Sequence, residues 1–103
     1  MEGLELICFN IISMVGSARS CYIEAIHRAK EGDFSGADKL VAEGDENFTE
    51  GHHAHADLIR QEAAEGSVEF SLLLLHAEDQ LMSAEAFGIL AKEFIDVYKV
   101  IQK

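Results

Sequence analysis

Residues 71–82 read SLLLLHAEDQLM and set one histidine, two acids and one amide into the most apolar run of the chain. Burying a polar group without a partner costs roughly 2–7 kcal/mol, so these side chains need a reason to be there. An imidazole is neutral near pH 7. His76 can therefore be a nucleophile, or simply a hydrogen-bonded residue of a core or interface. Asp79 lies three residues on, about 60° around a helix, which makes the two near neighbours. Its carboxylate is a hard oxygen donor of the kind that suits Mg²⁺. Glu78 projects away from both and reads as a solvated acid at the rim.

A second cluster, GHHAHADLIR (51–60), places His52 and His55 at i,i+3 spacing, with His53 turned elsewhere. Such a pair can ligate one Zn or Cu ion, but no third ligand follows at a usual spacing. The same pair can line a polar pocket within a bundle, or serve a non-catalytic regulatory bundle. Arg19 and Asp57 read as members of structural ion pairs or as surface residues. The chain carries no glycine-rich phosphate loop, no Ser-His-Asp arrangement and no Cys-x-x-Cys.

The elements that must position these residues are helices. Proline is absent, and two glycines act as punctuation: Gly32 followed by Asp33, and Gly66 followed by Ser67. Each reads as a helix C-terminus followed by the N-cap of the next helix. The predicted helices span about 4–30, 33–64 and 67–102, with Glu69 in the first turn of the third. The fold expected is an all-α, up-down three-helix bundle forming a single domain over 1–103.

Periodicity agrees with this division. Leu4, Ile7, Ile11, Val15, Ala18, Tyr22, Ala25 and Ala29 form one stripe on the first helix. Phe34, Ala37, Val41, Gly44, Phe48, Gly51, His55 and Leu58 form a weaker one on the second. There Gly44 and Gly51 each cost about 1 kcal/mol against alanine. The third helix has three stripes. Leu74, Ala77, Leu81, Ala84, Gly88, Ala91, Ile95 and Tyr98 can seat it in its own bundle. A second stripe contains Leu73, His76, Gln80 and Phe87, and a third contains Leu72, Leu75, Asp79 and Met82. A helix apolar nearly all round is buried nearly all round, so self-association through this helix is expected.

Asp79 falls in the third stripe, where a seam between helices wants an apolar residue. Copies meeting on an axis could share a cation there. Alternatively the carboxyl is protonated by desolvation, or simply faces a water-filled crevice.

Composition limits the partners. With 19 acids against 8 bases and a net charge of −11, nucleic acid and anionic lipid are both excluded as natural surfaces. Hydrophobic residues make up 49%, enough for a folded core in spite of that charge. Cys8 and Cys21 are 13 residues apart on one helix, roughly 20 Å, and cannot pair within a chain. The first twenty residues lack the positive start of a signal peptide, and no uncharged run reaches the ~18 residues of a membrane span. A cytoplasmic protein without membrane insertion is expected.

The run SLLLLHAEDQLMSAE resembles the signature around the active histidine of the lactose/cellobiose-type IIA components of the bacterial sugar phosphotransferase system. GSARSCYIEAI (16–26), GDFSGADKL (32–40) and EGHHAHADLI (50–59) resemble the same family in the same order. The resemblance implies a homotrimer, a nine-helix bundle, whose His76 accepts a phosphoryl group from the phosphocarrier protein HPr. His76 would pass it to a cysteine of the IIB component, which works with the membrane component IIC in disaccharide uptake. It also implies that Asp79 sits at the trimer axis and binds one Mg²⁺. Ser71, Gln80, His52 and His55 are candidates for the phosphoryl pocket. Members often read His-Ala/Gly-Gln-Asp-His-Leu-Met in this run. Glu78 and Gln80 thus stand where glutamine and histidine are common, and His55 stands where glutamine is common.

Overall fold

The computed structural model describes residues 3–66 and 68–102. It consists of α1 (Gly3–Lys30), α2 (Phe34–Glu65) and α3 (Leu72–Ile101), laid side by side in a rod of 55 × 20 × 19 Å. Residues from the start of α1, the end of α2 and the start of α3 share one core cluster: Cys8, Ile11, Val15, Leu58, Ala77, Leu81 and Ala84. Ala25, Ala29, Ala37 and Ile95 close the other end. The topology is therefore up-down-up.

The caps explain the turns. Gly32 adopts φ +84°, and the amides of Gly32 and Asp33 return to the carbonyls of Ala29 and Arg28, closing α1 with a left-handed glycine. Asp33 then caps α2 by accepting the Gly36 amide at 2.9 Å. Its carboxyl is held below the usual range by that bond and by Arg28, 3.1 Å away. Gly66, φ +89°, ends α2 as expected.

The start of α3 differs from the expectation. The helix begins at Leu72 rather than 67, and its cap is Ser71, which accepts the Leu74 amide at 3.1 Å. The proposed cap Ser67 lies outside the described residues. Residues 68–71 are non-helical, Glu69 included, and Val68 packs against the lower core cluster. Both serines have the right chemistry for a cap, and the packing of Val68 favours the later one.

The seam on α3 is the expected one. Ala77, Leu81, Ala84, Gly88, Ala91 and Ile95 are buried. Cys8 is an addition to the α1 stripe, buried at 1% exposure. By length and average apolarity α1 could cross a membrane, more than the sequence reading allowed. However, its apolar stripe from Ile11 to Ala29 is the inner wall of the bundle.

The two glycines that weakened the reading of α2 have a packing purpose. A methyl group at Gly44 would come within 2.7 Å of the Tyr22 ring, and one at Gly88 within 2.9 Å. Tyr22 thus passes from α1 between two backbones stripped of side chains, and its hydroxyl donates to Asp45 Oδ1 at 2.6 Å. Lys92 of α3 meets the other oxygen of Asp45 at 3.3 Å. Gly51 similarly admits Val15, 2.5 Å from where a methyl would stand. At the far end Gln102 donates its amide to the carbonyls of Ala29 and Lys30, both at 3.3 Å.

Burial, the hydrogen bond to Asp45 and that residue's charge push the Tyr22 phenol well above the ordinary tyrosine range. A raised folded-state pKa stabilises the fold below the unfolded value, about 10, and that stability is lost as pH rises beyond it. Urea unfolding should therefore show wild-type stability falling above pH about 10 more steeply than that of Tyr22→Phe. Gly88→Ala should lose about 1–3 kcal/mol in the same assay, despite alanine's better helix propensity, because the ring has nowhere to go.

Candidate functional site

His76 stands on the second turn of α3, five residues beyond the Ser71 cap, and is exposed. It borders an open hollow with Leu72 and Leu73. Leu73 also lines a crevice between the start of α1 and the approach to α3, with Leu4, Glu5, Cys8, Glu69 and Ser71. The ground around the histidine is apolar: Phe70 is 75% exposed and Leu72 80%. On α1, Leu6 and Phe9 are exposed as well.

Asp79 is exposed, on the same stripe as Leu75 and Met82. The apolar line continues through Ile89 to Val97 and Val100. Gln80 is half-buried one helical turn from His76. Ser71 accepts the Leu74 amide through its oxygen in the helix cap, and its hydroxyl hydrogen stays free to donate to a ligand.

The histidines of α2 are not brought together. His52 is exposed and stacks on Phe48, with ring centroids 6.3 Å apart and planes at 20°. His55 turns toward α3, where its Nε2 meets Glu78 Oε1 at 2.7 Å. The two rings thus have separate partners. Among the described residues no three His, Cys, Asp or Glu side chains converge to hold a metal ion. The transition-metal reading of His52 and His55 therefore has no support.

Glu78 corrects the picture of a solvated rim acid. It does point away from His76, but it joins α3 to α2 through His55. On α1, burial of Cys8 pushes its thiol up, and the Glu78 charge adds to that. The sequence offered one signal for this contact: Glu78 and His55 are two positions where the chain departs from glutamine in the family it resembles. The structure brings both departures together. Asp57 pairs with Arg60 on the exposed face of α2, as a structural ion pair. Among the described residues Arg19 is half-buried on α1 without an ion-pair partner. Cys8 and Cys21 are both free.

An exposed imidazole on an apolar helix face, with no enclosed pocket around it among the described residues, suits a carrier that meets its partners surface to surface. The sequence model of the family "PTS system, Lactose/Cellobiose specific IIA subunit" matches residues 6–99. The oligo-beta-mannoside-specific EIIA component of Bacillus subtilis is 40% identical over 95 residues, 92% of this chain and 86% of its own length. The lactose-specific EIIA component of Staphylococcus aureus is 35% identical over 98 residues, 95% of each chain. Among solved structures, the cellobiose-specific enzyme IIA of Bacillus anthracis superposes with a TM-score of 0.95 at 41% identity. That match covers 99% of this chain and 94% of the other. The chitobiose IIA in complex with HPr from Escherichia coli gives a TM-score of 0.86 at 31% identity, with both chains fully covered.

The chain belongs to the lactose/cellobiose family of phosphotransferase-system IIA subunits. It is a phosphocarrier of sugar uptake. These relatives are named for four different sugars. The shared fold accordingly follows the carrier role and not the sugar.

Because His76 is exposed and outside every core cluster, His76→Gln should change unfolding free energy by less than about 0.5 kcal/mol in a urea melt. A larger loss would show a structural use of the ring.

Proposed function

We propose that His76 is the phosphoryl acceptor, taking the group from phospho-HPr and passing it to a cysteine of a IIB component. The observation that carries this reading is the exposed imidazole beside an open hollow lined by Leu72 and Leu73, within the run that matches the family. A ring nitrogen of His76 attacks phosphorus in line as the P–N bond to the donor histidine breaks. The thiolate of IIB then attacks the same phosphorus, forming a P–S bond and returning the imidazole. Phosphoryl transfer asks the protein for positioning and charge stabilisation, with little covalent chemistry of its own. Leu72, Leu73 and Phe70 supply a docking surface that excludes water, which protects the phosphohistidine from hydrolysis. The Ser71 hydroxyl, the Gln80 amide and the first amides of α3 are the donors this chain offers to phosphoryl oxygens.

The assembly proposed is a homotrimer through α3. The chain exposes 6428 Å², against roughly 5,700 Å² expected for a folded monomer of this mass. Most of the large apolar side chains that stand exposed lie on α3, from Leu72 to Ile101. Asp79 fits Mg²⁺ only in such an assembly. One protomer offers a single carboxylate, whereas three copies on an axis offer three hard oxygen ligands. A cation held there would neutralise the seam and take no part in the transfer. Phospho-HPr and IIB as partners imply a cytoplasmic location.

Incubation with phosphoenolpyruvate, enzyme I and HPr should give one acid-labile, base-stable phosphate per chain, absent in His76→Gln. Retention of the label in that variant would place the nucleophile elsewhere. Sedimentation should show a species three times the 11.3 kDa chain. Asp79→Leu should lose the ion while keeping or strengthening the trimer, as when packing replaces buried charge.

A further inference from the structure

α1 packs along both other helices, but α2 and α3 meet one another much more sparingly. Three polar bridges span that thin seam. Lys99 approaches Asp38 at 3.8 Å, Lys92 approaches Asp45 at 3.3 Å, and His55 meets Glu78 at 2.7 Å. The first two are lysine–carboxylate pairs far along α3. The third is the shortest, the least exposed on its α2 side (16% for the His55 side chain), and only two residues from His76.

Its chemistry is also inverted relative to the others. Here α3 contributes the acid, and it does so beside the residue that must accept a phosphoryl dianion. A free carboxylate on that turn would oppose the incoming charge. Glutamate has several rotatable bonds, and α2 supplies one side chain that holds it: the imidazole of His55, itself half-buried. The neutral ring can donate its Nε2–H to the carboxylate, and the protonated ring can do so with added charge compensation.

We infer that His55 is a positioning residue for phosphoryl transfer, because it holds the Glu78 carboxylate in the α2–α3 seam and away from the phosphoryl group on His76. This inference rests on the phosphocarrier reading of His76. Glu78 is the acid restrained, His55 is the restraint, and neither touches the reacting atoms.

The test is the equilibrium constant for transfer between phospho-HPr and this protein, which reports the relative stability of phospho-His76 and is independent of docking rate. His55→Leu removes the donor and should lower the constant about twofold, the size expected when a carboxylate moves from roughly 12 to roughly 7 Å from a phosphoryl dianion in water-rich surroundings. His55→Gln keeps an N–H donor and should stay near wild type. Glu78→Gln in the His55→Leu background should restore the constant. Raising salt from about 0.02 to about 0.5 M should shrink the His55→Leu deficit, because screening acts on charge and not on packing. Glu78→Asp repeats the test without altering α2: it keeps the charge but is one methylene too short for the ring, and it should show the same deficit.

An unchanged constant in both His55→Leu and Glu78→Asp overturns the proposal, as does a deficit that Glu78→Gln fails to relieve. Both outcomes differ from failure of the phosphocarrier reading, in which the wild-type protein would take no phosphate from HPr at all.

Discussion

α3 carries more apolar surface than two neighbouring helices can cover, and the rest of the structure follows from which part of it they do cover. The bundle takes the stripe of small residues: Ala77, Ala84, Gly88 and Ala91, with Leu81 and Ile95 between them. Small side chains let α1 come close, and closeness leaves no room for larger ones. Leu72, Leu75, Met82, Ile89 and Val100 are consequently left outside, each more than half exposed. His76 and Asp79 stand among these large residues. The open face of the protein is thus the part of α3 that tight packing rejected.

Close packing of this kind needs something to set its register, and Tyr22 does so. Its ring enters where Gly44 and Gly88 withhold their side chains, and its hydroxyl ends on Asp45, which Lys92 reaches from the third helix. One residue from each helix meets there. A slip of either neighbour along α1 would drive a side chain into the ring. The contact lies far from His76, but by fixing α3 lengthwise it also fixes which residues reach the open face. The polar bridges between α2 and α3 complete this restraint where apolar contact is sparse, and the one nearest His76 deals with an acid that the carrier role would otherwise find in its way.

Much of this was legible in the chain itself. Gly32 with Asp33, and Gly66, mark helix ends through local chemistry: a left-handed backbone that glycine adopts freely and a carboxylate that caps an amide. The seam from Leu74 to Tyr98 follows from the helical repeat alone. The start of α3 did not follow, because Ser67 and Ser71 are equivalent caps and Val68 chooses between them only by packing. Gly44 and Gly51 read as weaknesses of α2, since the groups that fill their space lie on another helix. His52 and His55 share a spacing that suits a metal, yet Phe48 and Glu78 claim them separately.

The amino-acid sequence by itself determined three helices, the face of each that turns inward, and the stripes of α3 on which His76 and Asp79 lie. These rest on period and capping, which act within a few residues. Tertiary structure alone decided what Glu78 does. Its charge, its position beside His76 and its helical angle are all readable from the chain, but its partner lies 23 residues away on another helix. A residue's face is a property of its own helix. Its partner depends on how two helices are set against a third, and here that setting comes from a tyrosine ring lodged between two glycines.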